Sequence, residues 1–134
     1  MKTTIAVAAL TLFAAPFTLA ESGMGKTKVP ADDRTFVEEA ASGGRMEVEL
    51  GRLAEQKASD PQVKAFGRRM VEDHGKANER LRAVARTENI ELSDALLPPH
   101  EAQVNRLSKL SGRDFDLQYT RLMHEDQVVD VRRA

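Results

Sequence analysis

One stretch of the chain has the periodicity of a single long helix and constrains the fold more than any other. Between residues 63 and 84, apolar side chains recur at helical intervals, which places them on one face of a helix. They are Val63, Phe66, Met70, Ala77, Leu81 and Val84. His74 falls within the same stripe, four residues after Met70. We therefore predict a long helix that directs one histidine towards the core.

The first twenty residues have the pattern of a signal peptide. Lys2 precedes a short apolar run, and Thr18-Leu19-Ala20 offers the small residues that a signal peptidase recognises. An uncleaved anchor is the alternative, but the run is short and is interrupted at Pro16. No cysteine follows the run, which excludes a lipid-anchored lipoprotein. We predict a signal peptide over residues 1–20 and export to the periplasm or cell envelope.

Composition excludes several classes of function. The chain has no cysteine, so a disulfide framework and thiol chemistry are ruled out. Without Lys2, 19 basic residues remain against 21 acidic ones, a balance that gives no basic face for nucleic acid. The mature chain of about 114 residues suffices for one domain. Aromatic residues make up only 4% of the sequence, which together with abundant Ala, Leu, Glu and Arg favours helices.

The first helix is predicted to run from Arg34 to Ala58, after a flexible linker over residues 21–31. Asp32 or Asp33 is expected to cap its N-terminus, because a short carboxylate accepts hydrogen bonds from the unpaired amides. Apolar residues cover about two-thirds of its circumference, so this helix needs neighbours on several sides.

Three glycines lie on this first helix, at positions 43, 44 and 51. Each is roughly 1 kcal/mol less favourable than Ala in a helix interior. We infer that they allow a neighbouring helix to approach closely.

The motif Ser59-Asp60-Pro61 ends one helix and starts another, since a capping residue precedes a proline at the first helical position. The second helix is predicted to end near Glu88, and the short connection makes it antiparallel to the first. The other predicted elements are a loop over residues 89–99, a short helix from Pro98 to Leu110 and a last helix that starts near Arg113. Leucines and an isoleucine in the loop are expected to pack on the end of the bundle.

These elements amount to three long helices and one short connecting helix. The apolar face of the first helix is not fully used by them. We therefore predict an all-α, antiparallel helical bundle over residues 32–134, with the fourth long helix of a four-helix bundle missing.

Five motifs carry a resemblance to a known family. They are Phe36-x3-Ala40, Gly43-Gly44-x2-Glu47-x2-Leu50-Gly51-x-Leu53-Ala54, Asp60-Pro61-x-Val63-Lys64-x-Phe66, Met70-Val71-x-Asp73-His74-x3-Asn78 and Leu110-Ser111-Gly112-x2-Phe115-Asp116-x2-Tyr119. Together they resemble the exported bacterial domain-of-unknown-function 4142 family, labelled as predicted outer-membrane or periplasmic proteins. The resemblance implies a ferritin-like four-helix fold. This chain departs from the family in lacking its fourth long helix and in having Gln127 where a second Asp-His pair is usual.

Three inward polar residues are candidates for a site. Helical spacing places Glu47 within the apolar arc of the first helix, His74 in that of the second and Asp126 in that of the last. One interpretation is a structural pair, Glu47–His74 or His74–Asp126, buried between helices. The alternative is a metal site for iron or manganese formed by Glu47, His74 and Asp126. The Glu-x-x-His pattern of di-iron sites is absent, because Val71 precedes His74 by three residues.

The other candidate residues are interpreted as structural or exposed. His124 is expected at the surface or rim, and His100 in an exposed loop. Met46, Met70 and Met123 have core spacing and are expected to pack there. No nucleophile with a base, phosphate loop or other catalytic residue is identified.

Three hypotheses for function follow. The first is a non-enzymatic envelope or stress-associated module that associates with itself or an envelope protein through an exposed apolar face. The second is a ferritin-like metal-binding protein using the three inward residues. The third is a truncated remnant of a longer protein. We expect no nucleic-acid partner. We also expect no membrane-spanning segment once the leader is cleaved.

Overall fold

Helices make up the regular structure of the part of the chain that is described. The computed structural model describes residues 30–133, and for residues 126–133 the backbone alone. The helices are α1 (Ala31–Lys57), α2 (Pro61–Thr87), α3 (Pro98–Ser108) and α4 (Gly112–Arg133). The predicted all-α fold with three long helices and one short one is confirmed. The predicted leader over residues 1–20, and the linker up to residue 29, lie outside the described residues.

Helix α1 begins three residues earlier than predicted. Pro30 occupies the N-cap position, and no side chain caps this end. Asp32 and Asp33 instead lie within the first turn, where their charge favours the positive end of the helix dipole. The predicted aspartate cap is therefore wrong, and Ala31, assigned to the linker, is helical.

The turn between α1 and α2 forms as the sequence predicts. The Asp60 carboxylate accepts a hydrogen bond from the Gln62 amide at 2.7 Å, and Pro61 occupies the first turn. The short connection reverses the chain direction, so α1 and α2 are antiparallel neighbours.

Helices α1 and α2 approach most closely where two glycines face each other. A Cβ atom on Gly51 would lie 2.6 Å from the Gly67 carbonyl oxygen, and one on Gly67 would lie 2.6 Å from the Ala54 Cβ. Only a hydrogen atom fits at either position. Gly44 has a related role, because a Cβ there would lie 2.1 Å from the Asn78 Oδ1. Close approach is confirmed at Gly51, whereas Gly43 has only ordinary contacts with a side chain of α3.

The core is formed by side chains from all four helices. Its buried members are Met46, Leu50, Ala54, Ala58, Met70, Leu107, Phe115, Tyr119, Leu122 and Met123. The Phe115 and Tyr119 rings stack with centroids 5.5 Å apart, and Phe66 meets Tyr119 edge-on at 6.0 Å. The predicted core positions of Met46, Met70 and Met123 are confirmed.

Helix α2 ends in a Schellman motif. Asn89 adopts a positive φ of 56°, and the Ile90 amide donates to the Ala85 carbonyl at 2.8 Å. Ile90 and Ala85 are both buried, which is the apolar contact that accompanies this motif. The following loop therefore turns back onto the bundle, as predicted from its apolar residues.

The predicted stripe on α2 is buried only in its first half. Met70 is 4% exposed, whereas Val84 is 60% exposed. Phe36, an apolar residue near the start of α1, is 61% exposed. The core position predicted for Val84 is therefore wrong, because the described side chains of α4 pack against the other end of the α1–α2 pair.

Asp116 holds α4 against the turn between α1 and α2. Its carboxylate accepts hydrogen bonds from the Ser59 amide at 3.1 Å, from the Asp60 amide at 3.0 Å and from the Ser59 hydroxyl. An isolated bridge between Ala58 and Gly112 lies beside this contact. One carboxylate thus joins the start of α4 to two amides of the turn.

We expect this contact to make stability depend on pH in the acidic range. The hydrogen bond from the Ser59 hydroxyl, followed by those from the Asp60 and Ser59 amides, lowers the pKa of the Asp116 carboxyl below its ordinary value of 3.8. A carboxyl with a lowered folded-state pKa stabilises the fold above its unfolded pKa, and the benefit disappears as pH falls through the folded pKa. Asp116→Asn should therefore lower the thermal midpoint at pH 7 by several degrees, and the difference should disappear as the pH falls through the lowered pKa of the Asp116 carboxyl.

Thermal unfolding followed by circular dichroism between pH 2 and 7 measures this difference. Asp114→Asn, at an exposed position in the first turn of α4, is the matched control. An Asp116→Asn midpoint equal to that of the Asp114→Asn control at pH 7 would contradict the role assigned to Asp116.

Candidate functional site

The structure brings together two of the three predicted site residues. Glu47 lies on α1, one turn before Gly51, and His74 lies on α2, two turns after Gly67. Because the two glycines let the helices approach, His74 Nδ1 comes within 2.6 Å of Glu47 Oε2. The Glu47 side chain is 8% exposed and that of His74 is 29% exposed. The pair is therefore buried on its carboxylate side and reaches solvent at the imidazole.

This contact satisfies a carboxylate that would otherwise be costly to bury. A hydrogen bond from an imidazole nitrogen is strengthened in the low-dielectric interior. The geometry fits the structural pair that the sequence suggested between the first two long helices. The contact between Glu47 and His74 also fixes the relative register of α1 and α2.

A third buried polar group, the hydroxyl of Tyr119, lies on α4. Tyr119 is fully buried, and its hydroxyl has no hydrogen-bond partner among the described residues. Burial, followed by the negative charge of Glu47, raises the pKa of the Tyr119 phenol well above its ordinary range. The phenol is therefore neutral and lies within electrostatic reach of Glu47. Helical periodicity gives Tyr119 a core position but carries no information about its hydroxyl; the signal in the sequence is a lone tyrosine among apolar residues.

The third predicted site residue, Asp126, lies on α4 one turn beyond Met123, and its side chain is outside the described residues. Among the described side chains, no group of three or more histidine, cysteine or acidic residues could hold a metal ion. Val71 stands where a di-iron site of the Glu-x-x-His type would need a glutamate. A di-iron centre therefore does not fit this chain.

A second buried polar contact joins α1 to α3. Ser42, which is 1% exposed, accepts a hydrogen bond from the Leu97 amide at 2.7 Å, and His100 Nδ1 lies 2.7 Å from the same hydroxyl oxygen. His100 is half-buried within α3, so the prediction of an exposed loop histidine is wrong. Helix α3 begins at Pro98, so His100 lies in its first turn, where the imidazole contacts Ser42. Because Ser42 is buried and already bonded to Leu97, this Ser–His contact holds the fold together.

A cavity of about 510 Å³ lies beside the end of α2, away from the Glu47–His74 pair. Its charged lining residues are Arg82, Arg86 and Glu91. Arg82 is held by the Asp94 carboxylate at 2.7 Å. Charges of both signs therefore line the cavity. One of its two arginines, Arg82, is paired with Asp94 in the loop after α2.

The remaining predicted histidine is where the sequence placed it. His124 is exposed on α4, at the rim of the bundle. Because it is exposed, His124 is a suitable control position for substitutions of His74.

Comparison with known proteins places the chain in a family. The family model described as Domain of unknown function (DUF4142) matches residues 18–134. The chain belongs to the DUF4142 family. No curated protein and no solved structure matches this DUF4142 chain. Within residues 30–133, none of its helices is long and apolar enough to cross a membrane.

We expect the Glu47–His74 pair to contribute measurably to stability. His74→Ala would leave the Glu47 carboxylate buried without its imidazole partner and should lower the free energy of unfolding by about 2–3 kcal/mol. In a Glu47→Gln background the same substitution should cost less, because no buried charge is left behind.

Urea unfolding of the two single variants and the double variant measures this coupling. His124→Ala, at an exposed position on α4, should stay within about 0.5 kcal/mol of the unsubstituted protein. Equal costs of His74→Ala in the two backgrounds would show that the pair is not coupled.

Proposed function

We propose that this DUF4142 domain is an exported, non-enzymatic helical module of the cell envelope that acts by binding a protein surface. The observation that carries the proposal is an apolar surface left open on α1 and α2. We define the open apolar surface as Phe36, Ala77, Leu81 and Val84. Phe36 is 61% exposed and Val84 60% exposed.

These residues lie at the same end of the antiparallel α1–α2 pair. Gly51 faces Gly67 and Gly44 faces Asn78, so positions further towards the start of α1 lie opposite positions nearer the end of α2. Phe36 comes two turns before Gly44. The open apolar surface is therefore contributed by both helices at the end where α1 begins.

Burial of this surface would favour association. Fully burying a Phe or Val side chain contributes about 1.5–3 kcal/mol. Apolar residues gathered on one part of a surface are typical of interaction sites. The partner is a second copy of this chain or an apolar surface of an envelope protein.

Export is supported by the leader pattern of residues 1–20. Fractionation of cells that express the full chain tests it. The expected result is a protein in the periplasmic or envelope fraction whose mass corresponds to loss of residues 1–20. An uncleaved protein in the cytoplasmic fraction would contradict export.

We expect substitutions in the open apolar surface to weaken association. Phe36→Ser and Val84→Ser each remove an exposed apolar side chain, and each should weaken self-association or envelope binding at least about tenfold. Sedimentation velocity over a range of concentrations, with co-sedimentation with an envelope fraction, measures both.

Leu117→Ser is the matched control, since Leu117 is 59% exposed on α4 but lies outside the open apolar surface. It should leave association unchanged. A folded protein that is monomeric at every concentration and binds no envelope component would rule out the proposal.

A second candidate function is metal binding, with iron or manganese held by Glu47, His74 and Asp126. The 2.6 Å contact between Glu47 and His74 supports it, because two of the three residues already meet in a buried location on neighbouring helices. Carboxylate and imidazole are suitable ligands for both metals. Metal analysis of the protein purified from its own compartment, beside the His74→Ala variant, tests this function. Background metal in both samples would exclude it.

A further inference from the structure

The exposed side chains of Phe36 and Val84 lie on the core side of the α1–α2 pair. Ala54 of the core comes 18 residues after Phe36, and Phe66, which packs against the core, comes 18 residues before Val84. A separation of 18 residues is about five turns of an α-helix, so each exposed residue is on the same side of its helix as its core counterpart. The face that carries the core at one end of the pair therefore reaches solvent at the other end.

Phe36 and Val84 also lie at the same level along the pair. A Cβ on Gly44 would meet the Asn78 side chain, which shows the register of α1 against α2. Phe36 comes about two turns before Gly44, and Val84 about two turns after Asn78. Because the helices are antiparallel, both steps lead in the same direction. The two exposed side chains therefore occupy neighbouring positions on one face.

The two helices that form the open apolar surface carry opposite charge at this end. Residues 31–40, at the start of α1, include four acidic residues and one basic residue. Residues 76–87, at the end of α2, include four basic residues and one acidic residue. Glu88 follows α2 and reduces this basic excess without cancelling it. The surface therefore has an acidic helix on one side and a basic helix on the other.

Three of these charged side chains lie beside the exposed apolar residues. Asp33 and Glu39 are each three residues from Phe36, and Arg80 is four residues before Val84. Residues at these spacings are neighbours on the surface of a helix. All three charged side chains are exposed, and none of them forms an ion pair within the part of the chain that the structure describes. Their charges are therefore free to pair with groups on another molecule.

We propose that the open apolar surface is the interface of a homodimer in which the start of α1 in one copy packs on the end of α2 in the other. The inference rests on the proposed function and names a second copy of this chain as the partner. A two-fold axis parallel to the helices brings the same surface of both copies together, so the contact between α1 and α2 occurs twice. Each contact sets an acidic helix against a basic one, with the apolar residues between them.

The charge pattern is what selects a second copy. A surface with charge of one sign would repel its own copy, whereas a surface that is acidic on one side and basic on the other is complementary to itself. The interface involves only about three turns of two helices, which is small for a stable dimer. The dimer is therefore a transient one that forms with increasing protein concentration.

Exchange of the charges between the two helices tests the arrangement. Glu39 precedes Glu47 by eight residues and Arg80 follows His74 by six, so the register of this pair places Glu39 within about one turn of the level of Arg80. Glu39→Arg and Arg80→Glu each set like charges against one another in both contacts of the dimer. Sedimentation velocity from about 1 µM to about 1 mM measures the dimer Kd of protein purified from cells that express the full chain.

Each single variant should raise the dimer Kd at least about tenfold. A chain that carries both substitutions has the two charges exchanged and should recover most of the affinity. An equimolar mixture of the two single variants should also recover it, since one contact of the mixed dimer is then unchanged and the other has the exchanged pair. Arg69→Glu, at an exposed position near the start of α2, is the matched control and should leave the Kd unchanged. Circular dichroism should show the same helical content in every variant.

The outcomes separate this inference from the function on which it rests. An unsubstituted protein that stays monomeric and still co-sediments with an envelope fraction would overturn the homodimer and leave the proposed function intact. A monomer that binds no envelope component would overturn both. A dimer that neither single variant weakens, or that Arg69→Glu weakens equally, would overturn the contact between α1 and α2. Failure of both the double variant and the mixture to recover affinity would overturn it as well.

Discussion

The close contact between α1 and α2 at Gly51 and Gly67 is the constraint on which the rest of the structure depends. With a Cβ at either position, the helices would have to move apart, because the nearest atoms are backbone oxygen and the Ala54 side chain. The separation set there allows Glu47 to reach His74, one to two turns away along the pair. The same glycines that lower helix propensity therefore make the buried polar pair possible.

The other two helices are fixed to this pair by single polar residues. Asp116 binds α4 to the turn at Ser59 and Asp60, while Ser42 on α1 holds the start of α3. These contacts place Tyr119 in the core and leave Phe36 and Val84, near the start of α1 and the end of α2, exposed. A buried polar site and an open apolar surface thus result from the same arrangement.

Much of this arrangement could be predicted from the sequence, and the exceptions have a common cause. The Asp60-Pro61 restart, the stripe that includes His74 and the glycine at position 51 are local or periodic signals, and the structure follows them. Periodicity identifies the apolar face of a helix but not the neighbour that covers each residue, so the sequence predicts an exposed apolar face without predicting that Phe36 and Val84 lie on it. The contact of His100 with Ser42 and the unpaired hydroxyl of Tyr119 depend on residues that are distant in sequence, which no local pattern encodes.

The most direct test of the central claim is the free energy of unfolding of Gly51→Ala compared with Gly75→Ala. Both substitutions raise helix propensity by about 1 kcal/mol. A Cβ at Gly75 meets no atom within 4 Å, so Gly75→Ala should stabilise the protein. A Cβ at Gly51 meets the Gly67 carbonyl oxygen at 2.6 Å, and overpacking of about 1–3 kcal/mol should make Gly51→Ala destabilising on balance. Equal stabilisation by the two substitutions would contradict the account.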